Sequence, residues 1–301
     1  MRQSLNFQDG NGMADRTLNS FYRKKISCGN AYGAVDSTLK DLNLSTVCRE
    51  ARCPNRSECF TDGTATFLIM GPRCTRDCRY CSVEKGAPLP LDKSEPERVA
   101  EAVRRLKLGY VVITSTTRDD LEDGGLNHFV RTVKAVKTAN PGSGIEVLTP
   151  DFKGNTGRLK ALFDAGISVF NHNIEVVKEL FPVYRPQGSY QTSIELLKEA
   201  SELGRRYGVP VKSGLMVGLG ESFEQIKATF RDLKESGVEI ITVGQYLRPT
   251  RFHPAPVKVY NQKDYLTLKK LAEKIGFKKA VIGPFVRSSY RAHEIRREVQ
   301  D

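Results

Sequence analysis

Six of the seven cysteines in this 301-residue chain fall into two triplets, Cys48, Cys53, Cys59 and Cys74, Cys78, Cys81. The later triplet reads C-x3-C-x2-C within Cys74-Thr75-Arg76-Asp77-Cys78-Arg79-Tyr80-Cys81. Three thiolates hold three corners of a four-iron cluster and leave the fourth iron open to a small ligand, whereas structural zinc normally takes four protein ligands and closes. Two three-thiol sets therefore predict two reactive [4Fe–4S] clusters. Zinc is the competing chemistry, but the paired C-x2-C knuckles and nearby histidines that would mark it are missing. Disulfides need an oxidising compartment. The polar stretch Met1 to Asn30 lacks the charged-then-apolar pattern of a secretory signal, so the expectation is a reducing cytoplasm. Cys28, outside both triplets, reads as a bystander thiol.

A hydrophobic content of 39% can bury a large α/β core, and no apolar run approaches the length of a membrane helix. Forty-seven Lys and Arg against 35 Asp and Glu leave +12, which suits an acidic partner or nucleic acid. The excess is scattered in pairs, Arg104-Arg105, Arg205-Arg206, Lys278-Lys279 and Arg296-Arg297. Without a basic stripe and interleaved aromatics, nucleic-acid binding is not expected.

From Ala65 onward, short β-branched runs alternate with amphipathic stretches, the pattern of repeated βα units with a parallel sheet. Strands are predicted at 65–70, 110–114, 144–148, 167–171, 210–217 and 238–243. Ser94 with Glu97 predicts a capping box ahead of a helix over 99–108, and Ser222 with Gln225 predicts another. Gly109, Gly166, Gly208 and Gly237 fall where helices should stop. A further helix over 265–275 and an apolar run over 280–285 complete the series. The fold class is α/β, a partial (β/α)6 TIM-like barrel with N-terminal and C-terminal extensions covering its ends. Its expected division is an extension over 1–64 with the first triplet, a barrel over 65–285 and a tail over 286–301.

In a parallel barrel the loops at the carboxyl ends of the strands converge on one mouth. The unusual polar segments all follow predicted strands: the Cys74–Cys81 loop, Thr114 to Asp120 with Asp123-Gly124-Gly125, Thr149-Pro150-Asp151, Asn171 to Glu175, Gly218 to Glu221, and Gly244 to Pro249. That coincidence predicts an enzyme. Individually the segments are ambiguous. Gly124-Gly125 also fits a tight turn, His172 a hydrogen-bonded structural histidine, and Asp119, Asp120 and Asp123 fit helix capping.

C-x3-C-x2-C with an aromatic before its last cysteine, after the first strand of a βα series, resembles the signature of radical S-adenosylmethionine (SAM) enzymes. The earlier triplet, Cys48-x4-Cys53-x5-Cys59 around Glu50-Ala51-Arg52-Cys53-Pro54-Asn55, resembles the auxiliary-cluster motif of the lipoyl synthase family. So does Arg287-Ser288-Ser289-Tyr290, where that family supplies a serine as fourth ligand. Arg118 to Leu121 with Asp123-Gly124-Gly125, Phe170 to Glu175, Lys212 to Glu221 and Gly244 to Thr250 extend the likeness over roughly Leu44 to His293. The departures are Thr116-Thr117 before Arg118, Val176 after Glu175, and Tyr80 where a Phe is often found; none removes a cluster ligand.

The resemblance implies that Cys74, Cys78 and Cys81 hold the cluster that reductively cleaves SAM, and that Cys48, Cys53, Cys59 and Ser289 hold an auxiliary cluster, with Ser288 the alternative serine. A serine oxygen is a harder partner for iron than thiolate, suited to letting go. It further implies an octanoyl chain on a carrier, either an oxo-acid dehydrogenase lipoyl domain or the glycine-cleavage H protein. The deoxyadenosyl radical would abstract hydrogen at C6 and then at C8, the auxiliary cluster being consumed as the sulfur source. Electrons would come from a donor such as flavodoxin or ferredoxin. Tyr80, Asn173, Glu175 and Asp123-Gly124-Gly125 are the implied SAM contacts. Arg118 and Arg248 would orient carboxylates or cluster sulfides. The positive charge would attract acidic carrier domains. A two-cluster radical enzyme acting on a small molecule or tRNA is the nearest rival, and a zinc-stabilised binding protein the rival from another class.

Overall fold

The computed structural model describes Tyr22 and residues 30–295; Cys28 and the Arg296-Arg297 pair lie outside the described residues. Helices α1 (Asn30–Asp41), α2 (Val47–Glu50) and α3 (Arg56–Thr61) surround a short edge strand, β1 (Ser45–Thr46), which pairs antiparallel with β2 (Thr66–Ile69). A two-strand ribbon follows, β3 (Arg73–Cys74) and β4 (Glu84–Lys85). The chain then alternates α4 (Glu95–Arg105), β5 (Tyr110–Ser115), α5 (Leu126–Ala139), β6 (Gly144–Leu148), α6 (Lys160–Asp164) and β7 (Val169–Asn171). After α7 (Phe181–Tyr184) and α8 (Tyr190–Tyr207) come β8 (Val211–Val217), α9 (Phe223–Glu235), β9 (Ile240–Gln245), α10 (Gln262–Ile275) and β10 (Lys279–Gly283). The strand order β1-β2-β5-β6-β7-β8-β9-β10 leaves β1 and β10 as edges with no ladder between them among the described residues, so the sheet is a partial barrel that does not close.

Alternation along the strands decides what each face does. Phe67, Ile69, Val111, Ile113, Ile145, Val147, Phe170, Leu215, Ile241 and Val243 are buried in the apolar core that joins sheet to helices, each contributing roughly 1.5–3 kcal/mol by leaving water. The alternate positions include the apolar Leu68, Val112, Val169, Met216 and Ile240 but also the polar or small Tyr110, Glu146, Asn171, Lys212, Gly214, Thr242 and Gly244. A closed eight-stranded barrel fills its lumen with branched aliphatics. Here the chain's own C-terminal segment enters instead: a Cβ on Gly244 would lie 2.0 Å from the Val286 carbonyl oxygen, so only glycine admits it.

Three sequence expectations are corrected. The run over 280–285 is a seventh parallel strand, β10, which starts at Lys279 and pairs with β9; the charged pair at 278–279 disguised its start. Ser94 does not cap its helix. It holds helical backbone angles and donates to Asp92 Oδ1 (2.7 Å), and the helix begins at Glu95. Gly109 is not the stop after α4, because Lys107 takes the left-handed turn with φ +51°. The Ser222–Gln225 box is present, and Gly208 ends α8 with φ +66°. Among the described residues no helix is long and apolar enough to cross a membrane.

Candidate active site

The Cys74–Cys81 loop leaves β2 and is held from both sides. Cys74 Sγ accepts backbone N–H bonds from Arg76 (3.4 Å) and Thr117 (3.3 Å), contacts that orient the sulfur. Tyr80 hydrogen-bonds the Cys78 thiol. Burial pushes the Cys81 thiol up to about 12, with Cys78 and Cys74 adding to the effect. The three sulfurs therefore act on one another electrostatically. A thiol with so high a pKa gives up its proton only to a strong competitor, which iron is.

Arg76, inside the motif, staples this loop to the next two strand ends. Its guanidinium makes two bonds to Asp151 (2.5 and 2.7 Å) and two to Asp119 (2.7 and 2.9 Å). Burial disfavours the charge of each partner, but the paired bonds prevail: Arg76 is held far above its ordinary value and Asp151 below the usual carboxylate range. Sequence reading passed over Arg76 because the cysteines around it carry the motif; the signal was an arginine between cluster ligands with carboxylates after the following strands.

Beyond β7 the chain bends at Glu175, whose φ of +68° is unusual for a residue with a side chain, and rejoins β8 through Glu175 N to Gly214 O (2.9 Å). Asn173 Nδ2 donates to Glu175 Oε1 and Ser288 Oγ, both at 3.1 Å. Burial raises the Glu175 carboxyl, against the pull of Arg185. Arg185, also missed in the sequence, is buried under the cluster loop and donates to Ile174 O (3.2 Å), its plane over Phe181. Asn173 Oδ1, Asn171 Oδ1 and Arg185 Nε are buried without a hydrogen-bond partner. Unsatisfied groups gathered at strand ends are what a polar ligand such as SAM would complete.

The other triplet sits at the opposite end of β2. Thr66 bonds the Cys48 sulfur through backbone and side chain, while burial and the Cys53 and Cys59 charges push that thiol up to about 12. Cys48, Cys59 and Ser289 line one cavity of about 660 Å³, which places a hydroxyl oxygen beside two of the thiols. Cys53 faces the half-buried Arg287 guanidinium electrostatically. Asn55 Nδ2 donates to Phe285 O (2.8 Å), and the Tyr290 hydroxyl to Glu58 Oε1 (2.6 Å), tying the C-terminal segment to the cysteine segment. All six triplet cysteines have free thiols. Among the described residues no three His, Cys, Asp or Glu side chains gather as a single-ion site; a cluster's corner ligands are instead spread around its own bulk.

Other residues singled out in the sequence have local duties. Asp123 accepts from Gly125 N (2.9 Å) and Asn127 N (2.8 Å) at the start of α5. Gly124 and Gly125 have positive φ, and a Cβ on Gly125 would meet Met70 Sδ at 2.3 Å. Arg118 is engaged by Asp120 (2.8 and 2.9 Å) and Met70 O (3.2 Å), and Arg248 holds its own loop through His253 O (2.6 Å). His172 Nδ1 donates to Thr149 O (2.8 Å). The loops after β8 and β9 bind the 254–261 strap through Glu221 and Gln245.

Comparisons with known proteins agree with this geometry. The sequence profile of the Radical SAM superfamily matches residues 68–233, and that of the N-terminal domain of lipoyl synthase of the Radical SAM family matches residues 2–53. Superfamily membership implies a [4Fe–4S] cluster and SAM. In fold the chain is similar to crystalline methylornithine synthase (TM-score 0.54, 15% identity, 90% of this chain and 76% of that one). It is also similar to Streptococcus suis SuiB bound to its precursor peptide (TM-score 0.51, 15% identity, 93% and 58%). In sequence it is 48% identical to the lipoyl synthase of Rubrobacter xylanophilus over 90% of this chain and 84% of that one. It is 44% identical to that of Halorhodospira halophila over 95% and 86%. With identity at this level over 90% or more of the chain, the chain belongs to the lipoyl synthase family of radical SAM enzymes.

Proposed function

We propose that the chain holds two [4Fe–4S] clusters, one on Cys74, Cys78 and Cys81 and a sacrificial one on Cys48, Cys53, Cys59 and Ser289. The substrate is the octanoyl chain of an oxo-acid dehydrogenase lipoyl domain or of the glycine-cleavage H protein, with electrons from a flavodoxin- or ferredoxin-type donor in the cytoplasm. Family membership makes the chain a sulfur-inserting radical SAM enzyme acting on a protein-bound octanoyl chain. When bound, the first cluster with SAM supplies a primary carbon radical strong enough to take hydrogen from an unactivated methylene, and the second supplies sulfur for C6 and C8.

The protein's own residues hold these parts in place. Arg76 fixes the first loop through Asp119 and Asp151. Asn173, Glu175 and Arg185 offer an amide acceptor, a carboxylate and a cation beside it for the polar ends of SAM, with Tyr80 covering Cys78. In this division residues up to 64 and the tail from 286 furnish the second site, and the 65–285 barrel furnishes the first. The observation that carries the reading is the cavity lined by Cys48, Cys59 and Ser289. Ser289 is preferred to Ser288 because Asn173 and Lys212 already engage the Ser288 hydroxyl and carbonyl.

The test is iron and sulfide content of anaerobically reconstituted protein, followed by an octanoyl-peptide assay. About eight irons are expected in the parent and about four in the Cys48→Ala, Cys53→Ala, Cys59→Ala variant. About four in both would remove the second cluster, and zinc without sulfide would return the protein to a binding role.

A further inference from the structure

The lumen contains an ion pair that none of the chemistry above uses. Lys212, on β8, and Glu146, on β6, are each about 1% exposed, with Nζ 3.0 Å from Oε1 and 3.3 Å from Oε2. Charges so deeply buried are costly unless nearly every donor and acceptor is used. Glu146 is fully engaged: Oε1 also accepts from Asn171 Nδ2 (3.0 Å) and Oε2 from the Tyr110 hydroxyl (3.1 Å). All of those contacts run strand to strand. Lys212 alone reaches off the sheet, donating to the Ser288 carbonyl oxygen 76 residues later. Asn173 Nδ2 holds the Ser288 hydroxyl from the other side, and the adjacent Ser289 lines the cavity with Cys48 and Cys59.

We propose that Lys212, its charge balanced by Glu146, is the positioning residue that anchors the Ser288–Ser289 turn in the lumen and so delivers Ser289 to the second cysteine triplet. An apolar lumen would bury more cheaply but would grip any apolar stretch of tail alike; a single buried ammonium selects one carbonyl and therefore one register. The inference rests on the assignment of Ser289 given above, and its test separates the two.

Lys212→Met alone would strand a buried carboxylate, so the working variant is Lys212→Met with Glu146→Gln, which removes both charges and leaves an amide oxygen for Asn171 Nδ2 and an amide N–H for the Tyr110 oxygen to accept. Hydrogen exchange on the full chain before cluster reconstitution reads the anchor directly. Amides of residues 286–290 should exchange at least about tenfold faster than in the parent, as loss of a charge-assisted hydrogen bond implies, while those of β6 and β8 keep their protection. Iron release to a chelator is then followed in reconstituted protein carrying Cys74→Ala, Cys78→Ala and Cys81→Ala, where only the other triplet holds iron. The paired variant should lose iron as fast as Ser289→Ala, and combining them should be no faster, because both act through one ligand. Unchanged protection of 286–290, or effects that multiply with Ser289→Ala, would overturn the anchor. If Ser289→Ala alone releases iron at the parental rate, the serine assignment falls, and with it the delivery step, while exchange still decides whether Lys212 holds the turn.

Discussion

The two cysteine segments have the same three thiols and opposite constructions. Residues 74–81 form one short loop, closed by backbone N–H bonds onto Cys74 and by four bonds from Arg76 to two neighbouring loops. Residues 48–59 are spread over two small helices and are completed by a chain segment some 230 residues away, through Asn55 to Phe285 and Tyr290 to Glu58. A site closed locally keeps its ligands as long as the loop persists. A site closed by a remote segment opens whenever that segment leaves, at the cost of a few hydrogen bonds. On the proposed assignment, the first construction suits a cluster that must survive turnover and the second one that must be dismantled.

The largest expected effect separates the two sites by reaction. Replacing Cys74, Cys78 and Cys81 by Ala should reduce 5′-deoxyadenosine formation from SAM to the level of an enzyme-free control. Replacing Cys48, Cys53 and Cys59 should leave that formation measurable while sulfur insertion into an octanoyl peptide disappears. Chromatographic assay of both products decides it, and loss of deoxyadenosine formation in both variants would erase the distinction.

Arg76→Met tests the local construction. It leaves Asp151, about 2% exposed, without its cation, and breaking such a pair costs roughly 3–5 kcal/mol. Denaturant unfolding should register that loss, and the first cluster should be lost before the second. Equal loss of iron from both sites would mean that the staple serves the fold as a whole.

Most of this architecture was legible because it depends on local pattern. The β-branched runs gave six of the seven parallel strands, since alternation and strand ends are short-range signals. C-x3-C-x2-C gave the first loop for the same reason. What stayed hidden was long-range. Nothing near Arg76 specifies that Asp119 and Asp151 will reach it, nothing near Tyr184-Arg185 says that the arginine lies beneath the cysteine loop, and Lys212 read as part of a strand and of the Lys212 to Glu221 resemblance, with no partner indicated. Gly244 was noted as part of a strand end, but its requirement for a bare Cα comes from Val286, which the fold alone brings near. The RSSY run was found by resemblance; its physical reason, a polar lumen left open by an incomplete barrel, is visible only in the assembled sheet.

Acid should distinguish the regions as well. Burial, aided by Arg185, lowers the His172 imidazole from its ordinary 6.5 to about 4. Between those values the unfolded chain binds a proton that the folded chain refuses. Stability should therefore fall as pH drops from about 6.5 to about 4, by on the order of 3 kcal/mol, and level off below. His172→Asn keeps a donor for the Thr149 carbonyl and should flatten that slope in pH-dependent denaturant titrations. Because His172 lies beside Asp151 and Arg185, the weakening should appear first as exchange around the Cys74–Cys81 loop; an unchanged slope in the variant would assign the acid sensitivity elsewhere.

The smallest effect probes the remote closure. Asn55 is almost fully buried and its side-chain amide donates to Phe285 O. Asn55→Ala removes the hydrogen bond to the Phe285 carbonyl, a loss of roughly 1–2 kcal/mol. Global unfolding should shift only slightly, yet this bond ties the C-terminal segment to the cysteine segment directly, so iron release from the Cys48, Cys53, Cys59 site should quicken by about tenfold while the other site keeps its parental rate. Arg76→Met should give the reverse selectivity. If Asn55→Ala instead loosens both sites together, the two are one cooperative unit, and release of the second cluster needs more than departure of the tail.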